Sequence, residues 1–193
     1  MLVVFDVVVA AAVALFIGLA RNDDDEPRER ARKTRSVVPA FVEPEKRALE
    51  STFERAARES GIPVALLEAV AWRESRWRAE AFNPSSGAVG IGQLLPETST
   101  FVANELLREP DLNPYVAVDN IRMTARYIRA LLDGFSGDEK LALAAYLQGS
   151  TSVRDDGVEP TTAAFAAEVQ SIRKRFEAAR HGNAGSARDP LTE

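Results

Sequence analysis

The chain has 193 residues, a formal net charge of −5 and 46% apolar residues, enough for one packed domain with appendages rather than a disordered chain. It has no cysteine, which excludes disulfides, thiolate metal sites, cysteine nucleophiles and lipidation at a cysteine. Residues 44–180 carry 17 Lys and Arg against 20 Asp and Glu, so nothing points to nucleic acid, and the one histidine, His181, lies in a Gly- and Asn-containing tail where a solvated ring is expected and a Ser-His-Asp hydrolase is not.

Residues 2–20 are apolar except for Asp6, a run long enough to cross a bilayer as one helix, so residues 1–20 are expected to form a membrane anchor. A cleaved signal peptide ending near Gly18-Leu19-Ala20 is the alternative, disfavoured because no Lys or Arg precedes the apolar run. Residues 21–43 read as a charged linker, in which Asp23-Asp24-Asp25-Glu26 is followed by Arg28, Arg30, Arg32, Lys33 and Arg35. Basic residues this close to a membrane favour a cytoplasmic position for the domain after them, and that reading stays open beside an outer one.

Residues 44–180 read as a series of helices. The first covers residues 44–60, with Leu49, Phe53, Ala56 and Ala57 on one face and Gly61 as terminator. Pro63 opens a second, which carries Glu74 near its end. After a loop marked by Pro84, Gly87, Gly90 and Gly92, Pro96 starts a third helix through Leu107, and Asn113-Pro114 opens another that ends at Gly134. In that fourth helix Ile121, Ala125, Ile128 and Leu132 recur at helical spacing. A short helix over residues 138–146 and a closing one after Pro160, with Phe165, Val169, Ile172 and Phe176 in step, complete the domain; residues 181–193 are expected to be a flexible tail. No alternating strand pattern is present, so the fold class is all-α.

In the second helix, positions 63, 67, 70, 74 and 77 share one stripe, and Glu74 is the polar exception. A carboxyl facing a core loses hydration, which raises its pKa and lets it hold a proton at neutral pH, as a general acid must. The bland alternative is a helix-end glutamate that snorkels or pairs with Arg73, Arg78 or a distant Arg. Glu68, about 120° off the stripe, is expected to be simply solvated. Trp72 and Trp77 nearby could stack on sugars or pack in the core.

Two further segments add to Glu74-Ser75. One is Ser85-Ser86-Gly87-Ala88-Val89-Gly90-Ile91-Gly92-Gln93-Leu94-Leu95-Pro96-Glu97-Thr98, whose glycines permit close backbone approach and whose Gln93 offers both a donor and an acceptor. The other is Ala145-Tyr146-Leu147-Gln148-Gly149, where Tyr146 could orient the acid or simply pack.

Together with Asp111-Leu112-Asn113-Pro114, Asn120-Ile121 and Tyr127, these segments resemble the soluble lytic transglycosylase catalytic domain over residues 45–178. That lysozyme-like family cleaves the glycan strands of peptidoglycan. The resemblance implies a lysozyme-like domain behind the membrane helix and linker, with Glu74 as the single acid/base and Ser75, Gly90, Ile91, Gln93 and Tyr146 as the substrate-binding set. It also implies a 1,6-anhydromuramyl product, no metal or organic cofactor, peptidoglycan as partner, and a domain on the outer side of the cytoplasmic membrane, or secreted if the N-terminus is cleaved. A monomer is expected. A hydrolytic muramidase and a non-catalytic glycan-binding or scaffold module are the rival readings. Two residues depart from the family pattern: Gly92 stands where Met is common, leaving the groove wall emptier and more flexible, and Leu147 stands where an asparagine amide is usual.

Overall fold

The computed structural model describes residues 37–182 and residue 191. The expected membrane helix over residues 1–20, most of the linker and most of the tail lie outside the described residues, and no described helix is long and apolar enough to cross a membrane. Among the described residues the chain is helical, with β-structure limited to isolated bridges. A 3-10 turn, Pro44–Leu49, leads into α1 (Glu50–Ser60), followed by α2 (Val64–Ser75), α3 (Pro96–Phe101), α4 (Ala117–Gly134), α5 (Glu139–Gln148), α6 (Ser150–Asp156) and α7 (Pro160–Arg180).

Pro44, Pro96 and Pro160 sit in the first turns of their helices, where a missing N–H is harmless. The structure departs from the predicted elements in local ways. Beyond Phe101 the third helix widens into a π turn, Val102–Leu107. The fourth starts at Ala117 rather than at Asn113-Pro114, because Asn113 Oδ1 accepts the Tyr115 N–H at 3.0 Å and the Asn113 N–H donates to Asp119 Oδ2 at 3.0 Å, holding the chain in a turn. Asp138 caps α5 from outside, accepting the Leu141 N–H at 3.0 Å. The seven-residue α6 was not predicted; its one buried residue, Val153, creates no period.

The core is built around α2, which is buried continuously from Ala65 to Trp72. α7 packs along it through Phe165, Val169, Ile172 and Phe176, and α1 and α4 also pack against it. Trp77 lies between Phe53 and Phe176, with ring centroids 4.4 and 5.5 Å away, and Trp72 meets Phe41 at 5.0 Å. Both tryptophans are therefore core residues, and neither presents a face to a sugar.

Glu68 corrects the sequence reading. It is 0% exposed rather than solvated, because α7 covers the face it occupies and brings Arg180 Nη2 within 2.5 Å of Glu68 Oε1. A helix enclosed on all sides has no solvated face to lend an off-stripe acid. Burial pushes the Glu68 carboxyl up to about 7, against the downward pull of Arg180. Of the tail, Leu191 packs on the main core and its carbonyl accepts from Arg76 Nη2 at 3.4 Å.

Candidate active site

α2 ends abruptly. Arg76 and Trp77 both adopt left-handed backbone conformations, with φ of 53° and 60°, and this turn lets Trp77 fold back into the core while Glu74 stays at the helix end. Trp77 Nε1 donates to the Glu68 carbonyl at 3.0 Å and fixes the reversal.

Glu74 is half-buried, and among the described residues it forms no ion pair and accepts no hydrogen bond. The two arginines that could have neutralised it are engaged elsewhere. Arg73 Nε lies 2.5 Å from Glu168 Oε2, with its guanidinium over the Phe165 ring, and Arg78 Nε donates to the Ser75 carbonyl at 3.1 Å. Desolvation pushes the Glu74 carboxyl up to about 7, with Arg73 pulling more weakly the other way. Its side chain touches solvent, yet the carboxyl lies among dense protein; the desolvation sets its proton affinity and the opening gives it access. Glu68, the other acid raised to about 7, is sealed beneath Arg180 about 120° around α2 and offers no second carboxylate to the same space.

The loop after α2 is fixed by side chains from three helices. Ser75 Oγ donates to the Ile91 carbonyl at 2.8 Å, and Ser75 is 3% exposed. From α4, the fully buried Asn120 accepts the Gly92 N–H at 2.8 Å and donates to the carbonyls of Val89 at 3.1 Å and Pro114 at 2.8 Å. From α5, the Tyr146 hydroxyl donates to the Gly92 carbonyl at 2.6 Å. Gln93, itself at φ 50°, donates through Nε2 to the carbonyls of Ala81 at 3.2 Å and Gly90 at 3.0 Å.

The six residues predicted for the site thus converge, but in two roles. Glu74 is the group that no hydrogen bond or ion pair engages among the described residues. The side chains of Ser75 and Ile91 are buried and hold the loop to α2; Gln93 braces the loop from within. Tyr146 points its hydroxyl at Gly92 rather than at the acid. Its phenol is pushed well above the usual tyrosine range by burial and, more weakly, by the negative charge of Glu74.

Gly90 and Gly92 are required by close approach. A Cβ on Gly90 would lie 2.7 Å from Asn120 Cγ and 2.9 Å from the Pro114 carbonyl oxygen. On Gly92 it would overlap the Thr124 hydroxyl and lie 3.0 Å from Thr124 Cβ. This corrects the reading of Gly92 as an emptier, more flexible wall: Thr124 fills the space, and the peptide is clamped at both its N–H and its carbonyl. Gly92→Ala is accordingly expected to destabilise the domain by about 1–3 kcal/mol, the usual scale of overpacking, seen as an earlier thermal melt. Full retention of the melting temperature would show that Thr124 can move aside.

Leu147 is 50% exposed, and the adjacent Gln148 carries the polar contacts of this corner, bonding Ser152 Oγ and the Gly157 carbonyl at 2.9 Å each. Sequence reasoning assigned no part to Thr124 or Gln148, and Asn120 was noted without its role. The paired glycines at 90 and 92 were the trace of Asn120 and Thr124, since a position without Cβ implies something pressed against it.

The chain matches the family model described as Transglycosylase SLT domain over residues 51–168. A peptidoglycan transglycosylase, gp16 of Escherichia phage T7, is 33% identical over 103 residues, which is 52% of this chain and 8% of the phage protein. Similar solved structures include an inactive mutant of the lytic transglycosylase Slt from Pseudomonas aeruginosa, with TM-score 0.62 at 22% identity, over 74% of this chain and 26% of that one. The 70-kDa soluble lytic transglycosylase SLT70 from Escherichia coli gives TM-score 0.61 at 19% identity, over the same shares of each chain. The structural likeness establishes a shared fold, and this chain spans only a small part of each relative's length. By the family model, which spans more than half of its residues, the chain belongs to the Transglycosylase SLT domain family.

Proposed function

We propose that this protein is a peptidoglycan lytic transglycosylase in which Glu74 acts alone as acid and base. The observation that carries the reading is a half-buried carboxyl, raised to about 7 by desolvation and without an ion pair among the described residues, beside a loop braced by Ser75, Asn120 and Tyr146. Protonated Glu74 donates to the glycosidic oxygen between N-acetylmuramic acid and N-acetylglucosamine as positive charge builds on the muramyl C1. That bond breaks, and the new carboxylate takes the proton of the same sugar's 6-hydroxyl, whose oxygen bonds to C1 to close a 1,6-anhydro ring. The proton count balances, Glu74 ends protonated, and no water or cofactor enters. Gly90, Ile91 and Gln93 shape the loop against which the strand lies, and Tyr146 fixes the Gly92 peptide of that loop. The apolar composition of residues 2–20 supports a membrane tether, with the monomeric domain working on the outer side of the membrane.

Digestion of purified sacculi with the full chain, followed by mass spectrometry of the released muropeptides, tests the reaction. Anhydromuramyl ends are expected. Reducing ends would identify a hydrolytic muramidase in the same fold, and sacculus binding without release would identify a glycan-binding module. Protease accessibility of the domain in intact spheroplasts tests the location, since protection would place it in the cytoplasm.

A further inference from the structure

Arg73 precedes the proposed acid in the chain, and a cation beside a carboxyl favours loss of the proton that the acid must hold. Desolvation raises the Glu74 carboxyl, and Arg73 pulls it down. Successive helix residues project about 100° apart, so Arg73 leaves α2 toward α7 rather than toward Glu74. One turn of α7 receives it on two sides. Glu168 Oε2 lies 2.5 Å from Nε, and the Phe165 ring, one turn earlier, faces the guanidinium with its centroid 5.4 Å away. The Arg73 and Glu168 side chains are 35% and 47% exposed, so the pair adds little to stability. Its position is the informative part: the partners are 95 positions apart in the sequence, and the contact fixes the charge adjacent to Glu74.

Other charges around α2 are committed elsewhere. Arg78 Nε donates to the Ser75 carbonyl, and Arg76 donates to the Leu191 carbonyl and pulls on Glu43. On α1, Glu50 and Glu54 act on Glu68. On α4, Arg122 and Arg129 pair with Glu109 and Asp133, and Arg126 Nε donates to the Leu106 carbonyl. α5 presents the Tyr146 phenol, and residues 85–95 carry no ionisable side chain. Arg73 is thus the cation whose field Glu74 feels, and Glu168 is the anion that accompanies it. Opposite charges in contact largely cancel at a distance, whereas a bare cation does not. We propose that Glu168 is a positioning residue for strand cleavage, anchoring Arg73 on α7 and cancelling most of its charge before that charge reaches Glu74. The inference rests on Glu74 being the acid that cuts the strand. Glu168 thereby sets the upper pH limit of the reaction through Arg73.

The test follows strand release from purified sacculi by the full chain from acid to alkaline pH, at fixed ionic strength because salt screens an exposed pair. Glu168→Gln keeps a carbonyl for the Arg73 N–H and removes only the charge. The bare cation then favours the Glu74 carboxylate, so the pH at which release falls by half is expected to drop. Release at pH 8 should fall about threefold relative to wild type, the scale of one partly exposed charge. Arg73→Gln removes the cation itself, and its midpoint is expected to rise. The double variant should fall between wild type and Arg73→Gln, since both charges have gone together. Damage to packing would not move the two single variants in opposite directions. An unchanged midpoint in Glu168→Gln, or shifts of the same sign in both single variants, overturns the assignment. If no form of the protein releases product, the lytic reading itself fails, and carbon NMR titration of the Glu74 carboxyl, assigned by its loss in Glu74→Gln, decides the inference separately. A titration midpoint that drops in Glu168→Gln and rises in Arg73→Gln supports it, and midpoints that stay put or move together refute it.

Discussion

Glu74→Gln is expected to lower the rate of strand cleavage by about 10²–10⁴-fold, the range associated with a positioned general acid or base, while leaving the fold intact. The amide matches the carboxyl in shape but has no proton to give at neutral pH. Because Glu74 forms no ion pair or hydrogen bond among the described residues, its replacement orphans no partner. The pH dependence has a definite sign. Cleavage needs the protonated acid, so wild-type activity should decline as pH rises through about 7. Stability runs in the same direction: a carboxyl raised from 4.5 to about 7 on folding contributes stability that is complete below 4.5 and disappears as pH rises through about 7. Glu74→Gln should therefore melt no lower than wild type at pH 8, and relatively higher there than at pH 5, as circular dichroism would show. A variant that kept wild-type turnover would dismiss Glu74 as the acid.

Arg180→Met is expected to be the most damaging single change to stability. It removes the counter-ion of a carboxyl that is 0% exposed, and isolating one member of a buried pair costs roughly 3–5 kcal/mol. Glu68 Oε2 and Arg180 Nε lack hydrogen-bond partners, and the second contact of Arg180, with Glu54 Oε1 at 3.3 Å, does nothing for Glu68 once the guanidinium is gone. Glu68 can escape the penalty by taking a proton, which makes the cost pH-dependent. Its carboxyl is raised from 4.5 to about 7 on folding, so its own contribution is fully present below 4.5 and lost as pH rises through about 7. The Arg180→Met penalty should accordingly be small at pH 5 and large at pH 8 in denaturant melts. Combining it with Glu68→Leu replaces both charges with apolar atoms and should recover most of the stability at either pH. An equal loss at both pH values would mean that Arg180 acts through packing of its stem rather than through charge.

Much of the helical framework was legible because one-faced helices announce themselves. In α1, α4 and α7 the periodic positions Phe53, Ile121, Ala125, Val169 and Phe176 are the buried ones, since only one side of each helix meets the core. The same logic failed on α2, where burial is continuous and periodicity carries no information about Glu68. It also missed α6, which is held by Val153 and its neighbours rather than by an apolar stripe. Within the site, Glu74 and the loop from Ser85 to Thr98 could be found in the sequence, because a carboxylate on an apolar stripe and closely spaced glycines break local rules.

What the sequence by itself determined was an all-α domain, the position of its odd carboxylate and the family pattern around it. Tertiary structure alone decided which acids are paired among the described residues. Glu168 on α7 takes Arg73 away from Glu74, and Arg180, 112 positions along the chain, closes over Glu68. Thr124 on α4 likewise turns Gly92 from an open position into a packed one. The physical reason is common to all three: periodicity records how one helix is patterned, whereas desolvation and ion pairing depend on which distant helix lies against it.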